Sequence, residues 1–411
     1  MLAVLAFTAC SNDSDEAAGN DSHIWCVSLT ASMGDATNRA LSADGENIAA
    51  SFAVDDEVVV VDADGSTVVG TLKALTAGGS TTLSGELSNT SLAADEVVSL
   101  HYLSATPNYD GQKGRLAEIS SYAKGTLTVK TVTPLTFESN SVTLAPQQSI
   151  TKFTFKDGSS DISVKTFGIA APGLVQKGSA TVGAVTGTLA TANTEVYVAL
   201  RNTYTSQQIY SFYIQDNAGN WYKGTKKATL TNGKNYTATV SMTKLPTLNG
   251  SSEEGTVGVI AGLPAIVVDF SGTKKAVALM NTGALCPEHY GKYYTFANQS
   301  SDLKDDWVVP TQAELTALAD KTNAWVTQNG VNGGLFTIGS EKLFLPAAGF
   351  YDNNSTPTLI NATWGYYWSS TSTTTEGYAY SLQFNGVITY LSLNSSEKID
   401  GLTVRPFHSL P

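Results

Sequence analysis

Short runs in which β-branched or aromatic side chains alternate with polar ones, each closed by a Gly-, Asn- or Asp-rich turn, fill residues 52–245. FAVDDEVVVV ends in the turn Asp62-Ala-Asp-Gly65, and STVVGTLKAL, TTLSGEL, EVVSLHYLSA and GTLTVKTV follow. A period of two sends successive side chains to opposite faces of a strand, so one face can enter a core while the other stays wet. The clearest hairpin is YSFYIQDNAGNWYKGTKKATLTNGKNYTATVSM, where Asn217-Ala-Gly-Asn220 and Asn232-Gly233 interrupt the alternation. Short strands at this spacing predict β-sandwiches.

The 411 residues suffice for two to four domains at roughly 100–200 residues each. Hydrophobic residues make up 42%, enough for real cores, whereas charged residues make up only 15%. Ser, Thr, Gly and Asn fill the difference, as expected of an all-β surface protein. A net charge of −12 argues against nucleic acid and against charge-driven binding to anionic lipid. No apolar run is long enough for a membrane span, which takes about 18 residues. The three cysteines, Cys10, Cys26 and Cys286, do not suggest a disulfide framework, and His23, His101, His289 and His408 lack zinc spacing. No cofactor or metal is expected.

The segment Leu5-Ala-Phe-Thr-Ala-Cys10-Ser-Asn-Asp-Ser-Asp-Glu16 joins an apolar run and small residues to one cysteine and an acidic stretch. A bacterial lipoprotein signal ends in this way, with the Cys10 thiol taking a diacylglycerol and the preceding run removed. The acidic residues after Cys10 resemble the surface-export signal of lipoproteins in gut and oral anaerobes. No Lys or Arg precedes the apolar run, which leaves an upstream start open. The expectation is an outer-membrane lipoprotein precursor, held in lipid through Cys10 and exposed at the cell surface.

Residues 11–23 read as a flexible acidic leader. IWCVSLTASM (24–33) then suits one strand, and GDATNRALSADGENIAAS reads as an exposed loop around Arg39. The chain has four arginines, Arg39, Arg115, Arg201 and Arg405, and Arg39 stands alone in the first 114 residues. A second strand-rich unit follows from about Thr133 to Leu245. PTLNGSSEEG (246–255) has linker composition. After it the pattern changes: Thr311 and Glu314 form a T-x-x-E capping box, and Leu315, Leu318, Thr322, Trp325 and Val326 form one helical face. The C-terminal unit therefore reads as α+β.

Up to Leu245 the chain resembles the fimbrillin family, the lipoprotein precursors of donor-strand-assembled type V pili. The residues that carry this are Cys10, the strand 24–33, the loop with Arg39-Ala40, the turn Phe52-Ala-Val-Asp-Asp-Glu-Val58, and GNWYKGTKKATLTNGKNYTATV (219–240). Asp55 stands where the family usually has glycine. The resemblance implies two transthyretin-like sandwiches, lipidation, export, and cleavage by an arginine-specific protease between Arg39 and Ala40. Cleavage would free the first strand, with Ile24, Trp25, Cys26, Val27, Ser28 and Leu29, and a stalk subunit would insert its C-terminal strand instead. A groove emptied in this way is a template for strand addition. Arg115, in GQKGRL, is a rival cleavage site.

From residue 255 the chain resembles bacterial C-type-lectin-like domains, through WVVPTQAEL (307–315), LFLPAAGF (343–350), GYYWSST (365–371) and LTVRPF (402–407). Val308 replaces the usual arginine of the first block. The Glu-Pro-Asn or Gln-Pro-Asp and Trp-Asn-Asp triplets of calcium-dependent sugar binding are absent. Tyr351, Asn353, Asn354 and Trp364 are the ligand candidates, while the GYYWSST aromatics read as core. Cys286 near His289 lacks a third orienting group, and no nucleophile elbow or phosphate loop occurs, so no enzyme is expected.

The expected chain is mainly β: a lipoprotein signal (1–10), the leader (11–23), two transthyretin-like β-sandwich fimbrillin domains (24–132 and 133–245), the linker (246–255) and an α+β C-type-lectin-like domain (256–411). If LTVRPF serves its own domain, no strand remains to donate, which places the subunit at a fimbrial tip as an adhesin for a host or bacterial surface ligand. The alternatives are a lipid-anchored surface binding protein that never polymerises, and an anchor or structural subunit.

Overall fold

A seven-stranded arrangement is built twice in the computed structural model, which describes residues 24–33, 42–44, 47–49, 51–65, 67–88, 90–178, 183–352, 358–360, 363–386 and 391–411. The first unit has β1 (Ile24–Met33), β2 (Glu57–Val61), β3 (Val68–Ala74), β4 (Ser80–Ser88), β5 (Val97–Tyr102), β6 (Ala123–Val132) and β7 (Ser141–Pro146). Their order is β7-β1-β4-β3-β2-β5-β6, and β6 pairs with β7 to close the sheet on itself. The second has β8 (Ser149–Asp157), β9 (Val164–Ala170), β10 (Ala184–Asn193), β11 (Glu195–Leu200), β12 (Gln208–Asp216), β13 (Trp221–Ala228) and β14 (Asn235–Lys244).

Each strand of the second unit has the neighbours of the strand seven labels earlier. The first strand of each unit even runs parallel to its last, β1 with β7 and β8 with β14. Among these fourteen strands, with the short additions Leu135–Phe137 on β6 and Ser160–Asp161 on β8 set aside, one pairing has no counterpart. β3 bonds to β4 in the first unit, whereas β11 pairs with β8 and leaves a seam beside β10. Strand β7, Ser141–Pro146, pairs with β1 and β6 of the first unit.

The turn before β2 explains the residue that departs from the family pattern. Asp55 has φ 67°, the left-handed region that glycine favours and that Asp tolerates better than most residues. The next carboxylate, Asp56, accepts the Ala53 N–H at 2.6 Å and the Tyr102 hydroxyl at 2.5 Å. The same device precedes β5, where Asp95 has φ 66° and Glu96 accepts the Ala93 N–H at 2.8 Å.

The open seam of the second unit is filled by the first. The loop between β5 and β6 crosses over, and Gln112 donates its N–H to Thr186 O on β10 at 3.0 Å while its own carbonyl accepts from Thr188 at 2.9 Å. Its side-chain amide exchanges two 2.8 Å hydrogen bonds with the Ala199 backbone on β11. Gly114 O accepts the Tyr197 N–H at 3.0 Å. Tyr109, from the same loop, is buried in the core of the second unit.

The third unit combines one helix with small antiparallel sheets. Its strands are β15 (Val257–Ile260), β16 (Leu263–Phe270), β17 (Thr273–Ala278), β18 (Asn323–Gln328), β19 (Val331–Ile338), β20 (Glu341–Pro346), β21 (Phe350–Asp352), β22 (Thr358–Ile360), β23 (Trp364–Ser372), β24 (Tyr378–Asn385), β25 (Leu391–Glu397) and β26 (Phe407–Ser409). They form the sheets β15-β16-β17-β26, β18-β19-β20, β21-β22 and β23-β24-β25. Residues 246–255 are not a free tether: Leu248 is buried and donates its N–H to Val259 O at 2.8 Å.

Helix α1 (Gln312–Ala319) starts at the Thr311–Glu314 capping box and buries Leu315 and Leu318. The expected helical face through Thr322, Trp325 and Val326 is wrong. The helix stops at Ala319, and Asn323–Gln328 turns through Asn329-Gly330, at φ 50° and 83°, to pair with β19. An Asn-Gly pair between two β-rich runs is a strong hairpin signal, and it outweighs helical spacing here.

The four sequence blocks of this unit meet. Val308 bridges Phe407, Tyr367 bridges Thr403, and the Ser370 N–H bonds to Pro310 O at 2.8 Å. Arg405 joins them from inside: fully buried, it donates to Ala278 O at 3.0 Å and Phe344 O at 3.1 Å, and hydrogen-bonds Tyr367. Arg405→Ala leaves buried carbonyls without a donor and opens a cavity, so it should cost about 3–5 kcal/mol. Denaturant unfolding of the full chain measures this, and a loss under ~1 kcal/mol refutes the role of Arg405 as the organising side chain.

Candidate functional site

The first strand is built into the first unit as an insert with both edges bonded. β1 pairs antiparallel with β4 from Ile24↔Ser88 to Ser32↔Ser80, and parallel with β7 from Thr30↔Ser141 to Met33↔Leu144. Backbone bonds extend this at each side, from Thr30 N to Asn140 O at 2.8 Å and from Met33 N to Gly79 O at 2.9 Å. Alternation places Val27, Leu29, Ala31 and Met33 in the core, with Trp25 packed at its margin. Gly125 on β6 lets β7 approach closely, since a Cβ there would lie 2.6 Å from the Val142 side chain.

Of the residues tied to maturation, Ile24, Trp25, Cys26, Val27, Ser28 and Leu29 lie on β1. Cys10, Arg39 and Ala40 lie outside the described residues, as do Asn353 and Asn354. Of the remaining ligand candidates, Tyr351 packs edge-on against Tyr293 at 4.7 Å, and Trp364 stacks on Tyr366 at 6.0 Å. Both are half-buried, and these two ring partners among the described residues differ. Tyr366, Tyr367 and Trp368 are buried, as the reading of GYYWSST as core expects. Tyr390 lies outside the described residues.

Sequence reasoning missed a polar junction where all three units meet. Asp110 comes from the crossing loop, Gln176 and Thr186 from the second unit, and His289 from the third. Asp110 Oδ1 accepts the Thr186 N–H at 2.8 Å and its hydroxyl at 2.5 Å. Asp110 Oδ2 lies 3.1 Å from His289 Nε2, and the Gly291 N–H donates to His289 Nδ1 at 3.0 Å. That acceptor role at Nδ1 puts the imidazole proton on Nε2, facing the carboxylate. Burial pushes the Asp110 pKa up, but the hydrogen bond from His289 and the two bonds from Thr186 outweigh it and hold the group at about 2.

Beside this junction Cys286 is fully buried with Ala170 and Ala184, and burial pushes its thiol well above the ordinary range. The ring of His289 faces Asp110 and Gln176, not the sulfur. The pair therefore lacks what activates a thiolate. Among the described residues no group of three His, Cys, Asp or Glu is placed to hold a metal. Gly168 packs so closely on the third unit that a Cβ would lie 2.3 Å from Leu285 O. Trp221 spans the same interface and donates its indole N–H to Gly262 O at 2.8 Å.

Glu288, 2% exposed, accepts from Gln328 at 2.9 Å and Asn329 at 2.7 Å through Oε1, while Oε2 has no hydrogen-bond partner among the described residues. Burial raises its pKa, so the fold holds that proton more tightly than the unfolded chain does. The resulting stability is complete below the ordinary carboxylate range and is lost as pH rises through the raised value. Glu288→Gln keeps an acceptor for both amides and removes that loss. The variant should melt a few degrees above the parent at pH 7 and converge with it near pH 4. A lower melting temperature at pH 7 refutes this.

A family model described as a domain of unknown function (DUF8237) matches residues 324–407, under half of the chain. No curated protein matches it. Among solved structures the chain is similar to a Bacteroides ovatus protein described as a candidate for cell adhesion, at 13% identity and TM-score 0.29, covering 53% of this chain and 94% of that one. A Bacteroides uniformis protein described in the same way gives 10% identity and TM-score 0.31, with 53% and 96% covered. A fimbrial assembly protein from Parabacteroides distasonis gives 12% identity and TM-score 0.28, with 53% and 92% covered. At TM-scores of this size these likenesses carry no argument, and the functional reading rests on this chain's own residues.

Proposed function

We propose that the chain is a surface-exported fimbrial subunit that accepts a donor strand in place of β1, stands at a fimbrial tip and presents its third unit for adhesion. The observation that carries this is the double-edged seat of β1. Its four inward side chains, Val27, Leu29, Ala31 and Met33, fill the core between β4 and β7. At about 1.5–3 kcal/mol for a large buried apolar side chain, their burial is worth on the order of 5–8 kcal/mol. Cutting the chain between β1 and β2 would leave β1 held by those contacts and its ladder alone. The cut would therefore not empty the groove by itself. It would make β1 exchangeable for another strand with matching inward residues.

Lipidation at Cys10 and cleavage between Arg39 and Ala40 complete the reading, with an outer-membrane stage followed by a place on the fimbria. Arg115 is exposed at the start of a short 3₁₀ turn and remains the rival site. Residues 402–409 pair within their own unit: Leu402 bridges Tyr294, Thr403 bridges Tyr367, and β26 pairs with β17. The four converging blocks support a C-type-lectin-like third unit, whose ligand contacts would involve Tyr351, Asn353, Asn354 and Trp364.

The test is digestion of the folded protein with an arginine-specific protease, followed by intact mass, N-terminal sequencing and incubation with a labelled peptide of the 24–33 sequence. The expected result is a single cut before Ala40, after which the peptide enters and the native β1 fragment leaves. The same peptide carrying Leu29→Asp should not enter, because it would bury a charge. Resistance at Arg39, or a cut chain that admits no peptide, overturns strand exchange and leaves a surface binding protein that does not polymerise.

A further inference from the structure

The crevice between the first and second units holds a half-open cavity of about 400 Å³. His101 on β5, Lys124 on β6 and Arg201, just beyond β11, line it together with the hydroxyl residues Ser104 and Thr106, and Asp64 lies at its exposed rim. The ion pairs among the described residues engage other side chains, and neither Lys124 nor Arg201 takes part in one. Arg201 is oriented without being neutralised. It donates to Gly178 O at 3.2 Å and hydrogen-bonds Tyr109, whose hydroxyl burial keeps protonated. In a chain of net charge −12, two cations with no ion-pair partner among the described residues and an imidazole thus line one half-open space.

We propose that this crevice is a binding site for a small oxyanion, a sulfate, a phosphate or the carboxylate of an acidic sugar, held by Lys124 and Arg201 and bridging the first two units. A guanidinium whose direction is already fixed presents its donors to an oxyanion with little further ordering, and a lysine adds a point charge. Burial first, then the charges of Lys124 and Arg201, lower the His101 pKa to about 4. An anion between these groups would offset that repulsion. The site goes beyond the strand-exchange reading and does not depend on it.

The experiment is calorimetric titration of the full chain at low ionic strength with sodium sulfate, inorganic phosphate and glucuronate, with glucose as the uncharged control. Saturable one-to-one binding of at least one anion and none of glucose is expected. Lys124→Gln should weaken it at least tenfold, while Lys130→Gln, exposed on the same strand, should leave it unchanged. Glucuronate alone would identify a sugar carboxylate, whereas sulfate or phosphate alone would identify a tetrahedral oxyanion. Absence of saturation with all three anions, or binding that Lys124→Gln does not weaken, overturns the site. A second readout is the His101 imidazole resonance. Lys124, Arg201 and Asp64 are the charged groups facing it, with Tyr122 on the same wall, and a bound anion must move its titration above about 4. No movement under saturating anion also overturns the proposal.

Discussion

The hydrogen bonds of Gln112 tie the first unit of this molecule to both open edges of the second. A sheet that ends in two unpaired edges exposes donors and acceptors that must find partners. The second unit has such edges on β10 and β11, and Gln112 satisfies both, one through its backbone and the other through its side-chain amide. That position also fixes its neighbours. Tyr109 is driven into the second core, and Asp110 is carried to Thr186 and His289. The two sandwiches are therefore joined by an element of the first serving as a piece of the second.

The first unit solves the same problem differently. There β3 and β4 bond directly, and the strand in the position of β8 is the N-terminal β1. In the second unit the corresponding strand follows β7 after two residues, so it is tied into the body of the chain at both ends. β1 is followed instead by a stretch that holds Arg39. Equal topology thus meets unequal tethering: β8 is held by chain at both ends, while in the proposed mechanism a single cut after β1 makes that strand replaceable. The proposed assembly mechanism uses that difference.

Much of the strand pattern was legible in the sequence because alternation and turn chemistry are local. The hairpin of β12 and β13 and the Asp62–Gly65 turn fall where the residues indicate. The inward face of β1 follows from its period of two. Ownership of strands was less legible: nothing local says that Ser141–Pro146 belongs beside β1. Helical spacing through Trp325 misleads because the Asn329-Gly330 turn makes Asn323–Gln328 one arm of a hairpin. The Asp110–His289 junction and the cationic crevice were invisible for a plainer reason. Their members lie far apart in sequence and become neighbours only after the units dock. Arg201, one of four arginines in a chain poor in charge, was the single available hint.

The loop that closes the second unit also changes how the molecule answers to being pulled. Three units joined only through their linkers would behave as beads on a string, and tension would fall on one linker at a time. Here Asp110 reaches from the first unit to His289 in the third, and Trp221 anchors the second unit to Gly262. Tension applied at the third unit is shared between the covalent path and these cross-links. Separating the units then requires breaking these partly buried polar contacts together rather than peeling them in turn. Such a body transmits a tug at its far end to the seat of β1 instead of absorbing it in flexing joints.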